Sequence, residues 1–200
     1  MVNRVCSVVR AGLLLAVIPL SVGGCVASAP EVHQCDVLAA NPADLQKTAA
    51  GVSMNDIAIN DALVACEAAV RKYTETPRFL FQLGRVHQSA KRYSEAVAWY
   101  QKAAEYHYAA AQTNLGYMYR GGFGVDKDFA SAVEWYRKAA EQGNPAAQAT
   151  LGDMYLDGAG VEQSNVEAVA WYRRAAEQGN AIAQEKLTIL YQDGKGAEKD

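Results

Sequence analysis

The chain has 200 residues, half of them apolar, with 19 basic and 22 acidic side chains and a formal charge of −3. That length and apolar content are enough for one continuous core. The mildly acidic balance excludes a general nucleic-acid binder, whose surface would be basic.

Residues 1–24 read as a signal peptide, outside the fold. Met1–Arg10 carries Arg4 and Arg10 and no acid, and Ala11–Val22 is an apolar run of 12 residues. Such a run is too short to span a bilayer and fits the h-region of an export signal. Two cleavage sites compete. Val22-Gly23-Gly24-Cys25 has the form of a bacterial lipobox, making Cys25 the first mature residue and the site of lipidation. Ala27-Ser28-Ala29 has the A-x-A form, but Pro30 follows it and disfavours the cut. The lipobox reading predicts an exported, periplasmic chain anchored to the outer membrane, with its lipid as the only membrane contact. Either cut leaves Cys35 and Cys66 as one pair, and in an oxidising compartment the simplest outcome is a disulfide. Closing a loop of ~30 residues would stabilise by about 3–4 kcal/mol on the chain-entropy estimate. A metal site built from His33, Cys35 and Cys66 lacks the paired ligand spacing, so no metal or cofactor is expected.

Residues 25–52 show no sustained periodicity, contain Asn41-Pro42 and Gly51, and are expected to form an irregular arm. Ser53, with Asp56 three residues on, reads as the N-cap of a first helix running to Tyr73. Ile59, Leu63, Cys66, Val70 and Tyr73 form one helical stripe, so Cys66 faces the core and the disulfide clamps the arm across this helix. Thr74–Pro77 ends it.

From residue 77 the chain repeats itself. A first helix pair occupies residues 77–108. Full repeats follow at 109–144 and 145–180 in a gapless 36-residue register, and a partial copy fills 181–200. This period predicts an all-α fold, a right-handed superhelix (solenoid) of helix pairs. Gly116 and Gly152 lie inside helices, where glycine costs about 1 kcal/mol relative to alanine. The recurring cost predicts that the second helix approaches closely there, through Ala132 or Ala168. Gly122 to Gly124 and Gly158 to Gly160 read as turns, Gly143 and Gly179 as helix ends, and Ser164 and Asn144 as N-caps. Tyr100, Tyr136 and Tyr172 should face the core, and Trp99, Trp135 and Trp171 should pack between repeats. His87, aligned with Tyr119, Tyr155 and Tyr191, reads as a packed residue, and His107 as a helix terminus. No catalytic motif such as H-E-x-x-H or G-x-S-x-G occurs, and no enzyme activity is expected.

The motifs A-x-x-x-L-G-x-M-Y, G-x-G-V and A-V-x-W-Y-R-[KR]-A-A-E-Q-G-N over Ala109–Asn180 resemble the Sel1-like repeat, a relative of the tetratricopeptide repeat. Arg78–Tyr106 looks closer to the tetratricopeptide form. The resemblance implies a scaffold that binds an envelope protein or peptide on its concave face. By the same resemblance, that face is lined by Arg78, Phe81, Arg85 and Gln88 in the first pair. Thr113, Tyr117 and Arg120 follow in the next, then Asp153, Leu156 and Asp157. A polarised groove, basic and aromatic first and acidic later, would suit an extended peptide. One alternative is a carbohydrate- or peptidoglycan-binding module using exposed tryptophans. A remote one is a β-lactam-hydrolysing enzyme, an activity linked to cysteine-rich members of the family; this chain lacks their cysteine pair in each repeat.

Overall fold

A tyrosine ring laid across a glycine sets the distance between the paired helices. The computed structural model describes residues 33–39 and 57–194. Among these there are helices and no strand: α1 (Gln34–Ala39), α2 (Ile59–Lys72), α3 (Pro77–Ser89), α4 (Tyr93–Glu105), α5 (Ala109–Gly121), α6 (Phe129–Glu141), α7 (Pro145–Asp157), α8 (Asn165–Glu177) and α9 (Ala181–Gln192). The signal peptide, Cys25 and the Ser53 cap lie outside the described residues. No described helix is long and apolar enough to cross a membrane.

From α2 onward each helix packs against its neighbours in sequence, giving the expected helical-repeat superhelix. Within each pair the close approach is real, but its partner differs from the expected alanine. A Cβ on Gly116 would lie 2.9 Å from the Tyr136 ring, and one on Gly152 would lie 2.8 Å from Tyr172. Gly84 stands in the same relation to Tyr100. All three tyrosines are buried. Burial pushes the Tyr136 pKa up to about 12, and raises those of Tyr100 and Tyr172 as well, so all three stay neutral donors.

The caps follow the repeated residues. Asn144 and Asn180 accept from the backbone N–H of Ala147 and Ala183, Ser164 from Glu167, and Asp128 from Ala130 and Ser131. The glutamine of each E-Q-G-N ties a helix end to its own partner: Gln142 donates to Gln112 (2.6 Å) and Gln178 to Gln148 (2.7 Å). His107 has φ 56° where the later repeats have glycine, as a helix terminus requires.

The arm is not wholly irregular: His33 leads into α1, which packs on α2 and α3. Cys35 and Cys66 form a disulfide, and both are fully buried. The α2 helix starts at Ile59 after Ala58, not at Ser53. On α1, the buried Asp36 accepts from Gln82 Nε2 (2.8 Å) and from the His33 backbone N–H (2.9 Å), with Arg78 Nε at 3.4 Å. Arg85 donates to the Ala39 carbonyl at the helix end. Thus α1 covers the face of α3 that carries Arg78, Gln82 and Arg85.

Two predictions follow from this packing. Asp36→Ala leaves Arg78 and Gln82 facing a buried hole. Breaking such a pair costs about 3–5 kcal/mol, so chemical denaturation should show a loss of that order. A loss below about 1 kcal/mol would refute the clamp. The second concerns His87, buried with Nδ1 unpartnered among the described residues. Burial first, and the Arg92 charge second, hold its pKa below the ordinary value, against Glu95 and Glu67. The unfolded chain therefore takes up this proton first. The contribution is intact above pH 6.5, the ordinary histidine value, and is lost as pH falls from there through the lowered native pKa. His87→Tyr, the residue of the later repeats, should lose less stability than the wild type between pH 7.5 and pH 5; parallel losses would refute it.

Candidate binding groove

The first helices α3, α5, α7 and α9 present equivalent positions at fixed register. Arg85, Tyr117, Asp153 and Ile189 form one row, and Gln88, Arg120, Leu156 and Gln192 form the next. These rows hold most of the residues expected to line the concave face, and the structure divides them sharply.

At the N-terminal end the groove is closed. Phe81, expected to face solvent, is fully buried against Tyr100 and Tyr108, with ring centroids 5.7 and 5.3 Å away. It falls on the core side because α4 and the α4–α5 joint pack there. Arg85, also expected at the surface, is 2% exposed beneath α1. Arg78 is largely covered, lying between Asp36 and the Phe79 ring. The basic start expected of the groove is therefore an internal contact. It is absent as a free surface because the arm supplies its own acid, Asp36.

Beyond α3 the groove opens. Tyr117 is 40% exposed and stacks on Phe123 at 5.3 Å, which in turn meets Tyr93 at 5.3 Å. Arg120 and Leu156 are half-buried, and Asp157 is exposed. Thr113 is half-buried, its hydroxyl donating back to the Ala109 carbonyl (2.9 Å), so it offers little to a ligand. Two row residues are held by the core tyrosines: Tyr100 donates to Gln88 Oε1 and Tyr172 to Asp153 Oδ1, both at 2.6 Å. Lys186 of α9 stands 3.8 Å from the same Asp153 oxygen.

Hollows recur along this edge. Gln88, Lys91, Tyr93 and Tyr117 line one of about 370 Å³, with Ile57, Ile59 and Ser89. Leu156, Gln163, Asn165 and Ile189, the same four positions two repeats later, line another of about 360 Å³ with Lys186, Leu190 and Asp193. In the repeat between, the four positions are Arg120, Lys127, Phe129 and Asp153, with Lys127 Nζ 4.7 Å from the Phe129 ring centre. Lys91, Tyr93, Lys127 and Ile189 were not singled out from sequence. The 36-residue register, carried past the first helices into the turns and into the partial repeat, would have found them.

The tryptophans are packed between repeats. Trp171 is buried, and Trp99 and Trp135 pack against the core of the first repeats. The residue three positions on lies over each ring: Lys102 at 4.3 Å from Trp99, Lys138 at 4.2 Å from Trp135, and Arg174 at 4.5 Å from Trp171. Each indole thus carries a cation and packs on its neighbours, as expected for packing between repeats. No group of three metal-ligating side chains occurs among the described residues.

The family model of the Sel1 repeat matches residues 79–105, 109–144 and 145–180. The first pair, expected to be closer to a tetratricopeptide repeat, is matched by the same model over residues 79–105. Two solved structures are similar. One is a protective antigen of uropathogenic Escherichia coli displaying an SLR fold, 35% identical at a TM-score of 0.65 over 74% of this chain. The other is a Sel1 repeat protein from Oxalobacter formigenes, 36% identical at 0.64 over 71% of this chain. The matches span 31% and 59% of those two chains. No curated protein matches. With consecutive repeats matched from residue 79 to residue 180 and the same solenoid beneath them, the chain belongs to the Sel1-repeat family.

Proposed function

We propose that the chain is a non-enzymatic scaffold of the bacterial envelope that holds a protein or peptide partner in the groove of its first helices. A Sel1-repeat solenoid fits a protein-interaction module in general. One observation carries the reading to this surface: on the first helices the shared leucines and methionines are buried, whereas the groove rows carry side chains that differ from repeat to repeat. Leu115 and Leu151, Met118 and Met154, and Tyr136 and Tyr172 are core. Tyr117 against Asp153, and Arg120 against Leu156, lie half-buried or exposed along the groove. Specificity is built from side chains the fold does not require, because packing constrains only the shared set.

The envelope location rests on the sequence: an apolar run of export length ending in Val22-Gly23-Gly24-Cys25, and the Cys35–Cys66 disulfide, which suits an oxidising compartment. In this reading Cys25 carries the lipid, and the arm from Cys25 to α1 tethers the solenoid to the membrane. The sugar-binding alternative is weakened by the burial of Trp171 and by the packing of Trp99 and Trp135 against the core.

Two measurements test these proposals. A photo-crosslinking amino acid at Tyr117 should trap a partner in intact cells, while the same probe at the exposed Glu134 of α6 should not; trapping from Glu134 alone would move the partner off the groove. Cys25→Ser should shift the chain from the membrane to the soluble fraction, and continued membrane fractionation would overturn the lipid anchor.

A further inference from the structure

We infer that the groove is selective for a basic, aliphatic peptide segment, seated with an aliphatic side chain in the hollow between α7 and α9. This inference rests on the groove reading above and adds the chemistry of the ligand.

Charge along the array supports it. Residues 77–144 hold nine bases and six acids, whereas residues 145–193 hold seven acids and three bases. Two of the nine bases, Arg78 and Arg85, lie under α1, while Lys91, Arg120 and Lys127 stay along the first and middle positions of the groove. The acidic surface is therefore the α7–α9 end, where the hollow lies. Asp193 lines the hollow and is exposed, and Asp157, next in the chain after the lining residue Leu156, is exposed too. Asp153 is held in place by the neutral Tyr172 hydroxyl, which burial keeps from ionising, and Lys186 stands 3.8 Å from it.

Part of the lining is aliphatic. Leu156, Leu190 and Ile189, the last 46% exposed, form it beside Gln163, Asn165, Lys186 and Asp193. Repeat equivalence makes this composition informative. The corresponding hollow near α3 has Gln88 and Tyr117 where this one has Leu156 and Ile189. The same backbone geometry thus carries polar and aromatic groups at one end and aliphatic groups at the other. A volume of about 360 Å³ lies at the small end of the roughly 300–1,000 Å³ typical of ligand clefts. It suits an inserted side chain more than a whole cofactor. Desolvation of that side chain would supply affinity, and the flanking carboxylates would select lysine or arginine beside it and reject acidic segments.

The test is selection from a random dodecapeptide display library on the immobilised full chain, followed by fluorescence anisotropy of the consensus peptide. The expected consensus has a leucine, isoleucine or valine flanked by lysine or arginine. Its affinity should fall about tenfold with Leu156→Asp and about fivefold with Asp157→Lys at low salt, the latter weakening as salt rises. Asp157 is exposed, so its reversal leaves the fold intact and keeps the test decisive if Leu156→Asp unfolds the chain. An acidic or uncharged consensus overturns the basic-segment inference. If binding is then still lost with Tyr117→Glu, the groove itself stands. A consensus indifferent to Tyr117→Glu, Leu156→Asp and Asp157→Lys overturns both readings, as does a library that yields no enrichment.

Discussion

The contact on which the solenoid depends is the tyrosine ring against the glycine backbone of the preceding helix. Gly84, Gly116 and Gly152 each lack the one atom that would collide with Tyr100, Tyr136 or Tyr172. The glycine costs about 1 kcal/mol of helix stability. The ring buried in its place offsets that cost, since a tyrosine side chain carries one of the larger apolar surfaces available to a core. The contact also reaches the surface. With the ring lying over the first helix, the hydroxyl emerges at the groove, where Tyr100 meets Gln88 and Tyr172 meets Asp153. Core and groove are therefore joined through one side chain.

At the partial repeat this contact is missing. Thr188 stands where the glycine would be, and a methyl-bearing Cβ there would meet a tyrosine ring of the usual second helix. On α9 a position that the full repeats bury is exposed: Gln184 stands where Gln112 and Gln148 are buried. Ile182, Ile189 and Tyr191 are exposed on the same helix, and Ile189 falls at the end of the groove row.

The N-terminal end is closed by different means. A six-residue helix has little stability of its own. Here α1 is held by a buried disulfide, by Asp36 against Gln82 and Arg78, and by Arg85 at its last carbonyl. The arrangement shields the first repeat, which has no preceding repeat to cover it. It also removes two arginines from the surface a ligand would meet.

The sequence by itself determined the repeat, the helix pairs, the caps at Asn144 and Ser164, the burial of the tyrosines and the pairing of Cys35 with Cys66. All of these arise from local geometry or from register: glycine in left-handed turns, side-chain oxygens at N-termini, periodic apolar stripes, and two cysteines left over. It misassigned Phe81 and Arg85 because a helical stripe states which residues share a face and not what covers that face. Only the tertiary structure decided that α1 lies on α3, that a tyrosine and not an alanine sits over each glycine, and that Ile189 joins Leu156 in one hollow. Those contacts join segments distant along the chain, such as Asp36 with Gln82. Their partners follow from the folded packing of whole helices, which no local pattern encodes.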